Sequence, residues 1–244
     1  MSEKIIPWVE HLEELRKRVI AIAISLAVFF CLGLVIHQWL IAIIQFPLGN
    51  LDTPLYFTAP AEGFLVALKA SLFFSFFCTT PVVLWQLWQF LKPGLLENEK
   101  KAVFPLFTVS VSLFLIGVSF CYFLVLPTAL KFLLGFGSSH FQPLLSVSRY
   151  SSFVCFMLLG FGISFNLPIV VLALAHLNIV SAAWLRHQRK FVLLGIVVLA
   201  AVLTPSPDAL SQILLAIPLF VLYEATILVV SWLEKRKILK SVEF

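Results

Sequence analysis

Apolar runs long enough to cross a bilayer recur along almost the whole chain. They cover roughly 19–40, 63–91, 102–134, 150–177 and 210–233, with a shorter one over 191–203. A bilayer core about 30 Å thick takes about 20 helical residues per crossing. Only short polar segments separate the runs. Of the 244 residues, 61% are hydrophobic and 12% are charged, against about a quarter charged in an ordinary soluble domain. A soluble protein of this size has too much surface relative to its volume to hide that apolar area. The expected fold is an all-α integral membrane protein, one polytopic membrane domain over residues 1–244 with six transmembrane helices and no soluble domain.

The charged start followed by an apolar run has the outline of a secretory leader, but the run is too long and lacks an A-x-A cleavage pattern. It is therefore expected to stay as the first span. Gln45–Glu62, with Pro47, Gly49, Asn50, Asp52, Pro54 and Pro60, reads as an irregular loop. Lys69 and Pro81 interrupt the second run. The fifth, at 13 residues, reaches only about 20 Å, so it must thin the bilayer, recruit flanking residues or sit behind neighbours.

Basic residues test the span count. If the N-terminal tail, the second and fourth connections and the C-terminal tail share one side, that side holds all but three of the 17 Lys and Arg. The exceptions are Lys69, Lys131 and Arg149. Positive residues are retained in the cytoplasm, so both termini are expected there and the number of spans is even.

The same clustering gives the net charge of +5 a topological meaning and argues against a nucleic-acid partner. Cys31, Cys78, Cys121 and Cys155 all lie in apolar stretches without a CxxC pair, as small hydrophobes do. No GxSxG, HExxH or glycine-rich phosphate loop is present, and His11, His37, His140, His176 and His187 are scattered. No catalytic residue, metal site or cofactor is expected, and the chain does not read as an enzyme. The absence of an evident internal repeat speaks against inverted-repeat transporters.

Three polar features remain. HLEELRKR (His11–Arg18) places Leu12, Leu15 and Val19 on one helical face, an amphipathic start that could lie at the membrane surface. Glu13 with Lys17 and Glu14 with Arg18 are i,i+4 pairs, each worth a few tenths of a kcal/mol. Taken alone, the motif reads as a solvated helix start with topogenic arginines. In KPGLLENEKK, Glu97 and Glu99 are two of the few acids on the expected cytoplasmic side. Such carboxylates suit a cationic ligand, above all arginine with its paired donors; ordinary loop solvation is the alternative. Within the spans, Asn166 stands two residues before Pro168, and Glu224 lies in the sixth run. Gln86 and Gln89 punctuate the second run, while Ser211 and Gln212 open the sixth. Intramembrane polar groups face protein or a water-filled cavity, which leaves helix contacts and a polar concavity both open.

Taken in order, the motifs resemble the twin-arginine translocase TatC family. They are HLEELRKR, PAEGFLVALK (Pro60–Lys69), WQLWQFLKPGL with ENEKK, FCYFLVLP (Phe120–Pro127), FGISFNLP (Phe161–Pro168), TPSPD (Thr204–Asp208) with SQ, and LLAIPLFVLYE ending at Glu224. They span nearly the whole chain. The resemblance implies a cupped, glove-like bundle of six helices in the bacterial inner membrane that receives precursor proteins carrying twin-arginine signal peptides. It also implies single-span partners of the TatA and TatB type, self-association in a receptor complex, and export of folded proteins driven by the proton-motive force. By family pattern, signal recognition falls on Glu14 and Glu99, with Arg16, Phe90 and Pro93 in the same surface motifs. The partner-helix contact falls around Thr204 and Gln212. The family commonly has glutamate where this chain has Asn166, which hydrogen-bonds but cannot ionise.

Two other classes stand beside this reading. A small-solute secondary transporter would show buried ion pairs or broken helices at the midplane, and the mid-span regions offer little beyond Asn166. An intramembrane enzyme would need a nucleophile–base or metal constellation, which the sequence lacks.

Overall fold

A computed structural model describes residues 8–49, 54–91, 103–135, 144–176, 179–203 and 209–242. Nearly all of these are helical. Ten helices are described: α1 (Trp8–Val35), α2 (His37–Gln45), α3 (Glu62–Leu91), α4 (Val103–Phe120), α5 (Leu126–Gly135), α6 (Val147–Ser164), α7 (Leu167–His176), α8 (Ala182–His187), α9 (Arg189–Leu203) and α10 (Ala209–Val242). Among the described residues, five helical stretches are long and apolar enough to cross a membrane: Leu12–Val35, Glu62–Phe90, Phe104–Gly135, Val147–Ala175 and Leu215–Glu234. The fifth apolar run forms α9, whose 15 residues extend roughly 22 Å. It remains short of a full crossing.

The exterior is as apolar as the core. Phe104, Phe123, Val221 and Leu228 are each at least 60% exposed, whereas Ser71, Ser75, Ser110, Ser151 and Thr226 are buried. Large apolar side chains facing outward need lipid around them. Small residues inside let helix backbones approach, and this packing holds membrane helices together. Several buried hydroxyls are satisfied within their own helices: Ser71 donates to the Ala67 carbonyl at 2.8 Å and Thr226 to that of Leu222 at 2.7 Å. The chain is therefore a multi-pass membrane protein.

The chain packs as two compact units. In the first, residues 1–43 and 59–111, α1 and α3 pack along their lengths. Gly33 lies against Ser71 at one end and Arg18 against Gln86 at the other, so the two helices run antiparallel. Pro81 does not break α3; near it the Thr80 hydroxyl donates to the Phe76 carbonyl at 2.8 Å. Trp88 donates its indole N–H to Ser110 Oγ at 3.3 Å, tying α3 to α4.

The second unit comprises residues 44–58 and 112–244. The segment expected as an irregular loop, Gln45–Glu62, meets the connection before α6 in a parallel strand pair, β1 (Leu55–Tyr56) with β2 (Leu145–Ser146). Ser146 then caps α6, its hydroxyl accepting from the Arg149 N–H at 3.4 Å. Tyr150 is buried and donates its hydroxyl proton to the Ile44 carbonyl at 2.8 Å. Between α4 and α5, Cys121–Val125 forms a widened π turn. It lies directly before Pro127, whose missing N–H already interrupts the ladder there.

Helix ends also depart from the apolar runs. The run 19–40 divides at Ile36, where α1 ends and α2 begins, and α1 itself starts at Trp8. The run 150–177 divides at 165–166, and the sixth helix continues past Leu233 to Val242 through the basic tail. Hydropathy marks which residues prefer lipid. A helix ends where its backbone hydrogen bonds end, and a charged tail does not stop that ladder.

Candidate functional site

Glu14 lies on α1, with its side chain 34% exposed. One helical turn later Arg18 turns back to it and ion-pairs with its Oε1. Arg18 is otherwise held by α3: its Nη1 donates to the backbone carbonyl of Gln86 at 3.1 Å and to the Gln86 side-chain Oε1 at 3.2 Å. Gln86 thus fixes the guanidinium, and the guanidinium fixes the Glu14 carboxylate. An exposed i,i+4 pair alone contributes only about 0.3–0.5 kcal/mol; anchoring across two helices gives this one a set position. Arg16 is exposed on the same helix. Phe90 lies one turn beyond Gln86, half-buried near the end of α3. The structure brings Glu14, Arg16 and Phe90 to one helix pair; Pro93 and Glu99 lie outside the described residues. The Glu14–Arg18 pair is the one expected from its i,i+4 spacing, whereas the hold of Gln86 on Arg18 is not legible in the sequence, because that contact joins residues 68 apart.

Asn166 sits where the fourth span breaks. Its own N–H bonds to the Ile163 carbonyl at 3.0 Å instead of closing the α-helical bond to Gly162. Its side-chain Nδ2 donates to the Gly162 carbonyl at 3.1 Å, supplying the donor that the break withdrew. The Oδ1 atom is buried and has no hydrogen-bond partner among the described residues. A buried acceptor left unmatched costs about 1–3 kcal/mol. Gln212 donates its amide to the Val197 carbonyl at 3.0 Å, stapling α9 to α10 near their junction; Thr204 lies outside the described residues.

Glu224 is matched by Arg189 Nη2 at 2.7 Å. Three further bonds join the segment before α9 to α10. Tyr223 donates to the Leu185 carbonyl at 2.8 Å, the Ala182 N–H to Glu234 Oε1 at 2.8 Å, and Arg186 to Ser231 Oγ at 3.3 Å. Of the two readings left open for intramembrane polar groups, Glu224 takes the helix-contact one. Its partner stands 35 residues earlier and carries no local sequence signal.

Residues 10–218 match the family model described as Sec-independent protein translocase protein (TatC). A relative from Carboxydothermus hydrogenoformans named Sec-independent protein translocase protein TatC is 36% identical over 237 residues, covering 97% of this chain and 98% of its own. The Aquifex aeolicus protein of the same name is 37% identical over 225 residues, covering 91% and 93%. A crystal structure described as the twin arginine translocase receptor TatC superimposes with a TM-score of 0.82 at 36% identity, covering 91% of this chain and 98% of that one. With most of its length matched by the family model and by full-length relatives above 30% identity, this chain belongs to the TatC family of Sec-independent protein translocases.

Proposed function

We propose that this chain is the receptor subunit of a twin-arginine translocase and that Glu14 and Glu99 receive the arginine pair of a signal peptide. As a TatC-family protein it is a translocase component, a transport protein of the Tat system. The observation carrying the arginine assignment is the Glu14–Arg18–Gln86 contact: this carboxylate already takes a guanidinium in a fixed orientation. A carboxylate offers about four acceptor positions, so Glu14 retains capacity for a second arginine. Arg16, Phe90 and Pro93 complete the surface. Crosslinking of a signal peptide to the membrane-embedded chain, with its arginine pair intact or replaced by lysines, tests the reading. Loss of crosslinks to 10–18 and 90–101 on lysine replacement is expected, and equal crosslinking would refute it.

The proposal extends to topology. Six spans in a single membrane domain and both termini in the cytoplasm follow from the basic-residue alternation, with α9 crossing as a short helix, and the family resemblance suits a bacterial inner membrane. Reporter fusions after Asp52, Gln142 and Ser206 should report the outside, and those after Asn98 and Gln188 the cytoplasm. A cytoplasmic signal at Gln142 would break the six-span arrangement.

Single-span partners of the TatA and TatB type would contact α9 and α10 around Thr204 and Gln212, the receptor would self-associate, and transport would draw on the proton-motive force. Asn166 supplies a further test. Asn166→Gln should transport normally, since it keeps both donor and acceptor. Asn166→Leu should reduce assembly with partner subunits, because it removes hydrogen bonds worth about 0.6–2 kcal/mol each at membrane depth. Co-purification of the partner subunits measures this, and wild-type yields for the leucine variant would make the site ordinary packing.

A further inference from the structure

Within the second unit, α7, α9 and α10 enclose a cavity of about 330 Å³. Val171, Leu174, Val192 and Leu222 line it, and Trp184 and Tyr223 close one end. It offers no spare polar group of note at that end: the Tyr223 hydroxyl is spent on the Leu185 carbonyl and the Thr226 hydroxyl on that of Leu222. An apolar space of this kind stays dry and lies at the small end of ligand pockets, which run about 300–1,000 Å³.

Charge gathers at the end closed by Trp184, itself half-exposed. Arg186, Arg189 and Lys190 are exposed there, and Arg189 stands one turn before the lining residue Val192. Two carboxylates face the same end: Glu224 pairs with Arg189, and Glu234 accepts from the Ala182 N–H. Arg186 holds Ser231 through one nitrogen, which leaves its other donors. Cations therefore exceed anions, and Lys235, Arg236 and Lys237 follow directly in the sequence.

We propose that this cavity takes one acyl chain of an anionic phospholipid, with the lipid phosphate held at Arg186 and Lys190. Basic pockets between membrane helices recognise such headgroups, and tryptophan and arginine at the rim suit the headgroup level.

The full chain, reconstituted in phosphatidylcholine nanodiscs with a trace of phosphatidylglycerol bearing a photoactivatable acyl chain, tests the proposal by mapping labelled peptides. Labelling should concentrate within 167–196 and 215–226. Unlabelled phosphatidylglycerol should compete about tenfold better than phosphatidylcholine. Arg186→Gln/Lys190→Gln should erase that preference yet keep labelling, because the basic residues hold the anionic headgroup while the apolar walls hold the chain. The cavity-filling variants Val171→Trp and Leu222→Trp should lose labelling, with thermal melts confirming that each is folded. Even labelling of all lipid-facing spans would overturn the proposal, as would unchanged labelling in a folded filling variant. Protection of these peptides by a synthetic signal peptide but not by phosphatidylglycerol would assign the cavity to a peptide instead, and would also overturn it.

Discussion

Replacing both Glu14 and Glu99 with alanine should weaken binding of a twin-arginine signal peptide by one to several powers of ten. A charge-assisted hydrogen bond from arginine to carboxylate contributes roughly 1.5–3 kcal/mol, and less where water screens it. Each 1.4 kcal/mol is a factor of ten in affinity. Glu14 is one-third exposed, so its share lies toward the lower part of that range. Glu10, Glu13 and Glu97 stand nearby in the sequence and can substitute in part, so single alanines should show small defects. Glu99→Lys should be worse than Glu99→Ala, because it adds repulsion to the lost attraction. Peptide binding to membranes containing each variant is the measurement, with twin-arginine and twin-lysine peptides compared. Undiminished discrimination by the double variant would place arginine recognition elsewhere.

The sequence carries the membrane fold plainly, because hydropathy over 20 residues is a property of the chain itself. The five long apolar helices overlap the five long runs, and the 191–203 run forms a short helix. Helix breaks are less legible. The polar pair His37–Gln38 stands at the break after Ile36 but reads equally as the edge of a span, and the division at 165–166 follows from Pro168 only once Asn166 is seen supplying the lost donor. The strand pair of Leu55–Tyr56 with Leu145–Ser146 joins segments 90 residues apart, beyond any periodicity. Charged residues follow the same rule. The Glu14–Arg18 pair is readable at i,i+4 spacing, whereas Gln86, which holds the pair in place, and Arg189, which matches Glu224, are set by tertiary contact alone.

The second large effect concerns packing of the third and fourth spans. Gly117 on α4 and Gly162 on α6 each meet the other helix where a side chain would not fit. A Cβ on Gly117 would stand 2.7 Å from Phe165 Cγ, 2.8 Å from Phe165 Cβ and 2.9 Å from the Phe161 carbonyl oxygen. A Cβ on Gly162 would stand 2.5 Å from Phe114 Cε2 and 3.0 Å from Val118 Cγ2. Overpacking of a well-filled interface costs about 1–3 kcal/mol, so Gly117→Ala and Gly162→Ala should each lower the melting temperature in detergent, and Gly117→Leu should abolish the folded state. The two alanines should respond differently to rescue. The atoms crowding Gly162 all belong to side chains, so Phe114→Leu should recover most of the loss in Gly162→Ala. Gly117 also meets a backbone oxygen that cannot be trimmed away, so Phe165→Leu should recover only part of the loss in Gly117→Ala. Gly195, with nothing within 4 Å of a Cβ, is the control. Gly195→Ala should melt no lower than wild type, because alanine is the better helix former by about 1 kcal/mol. A wild-type melting temperature for Gly117→Ala would mean that α4 and α6 do not approach this closely, and the small-residue packing of the third and fourth spans would be refuted.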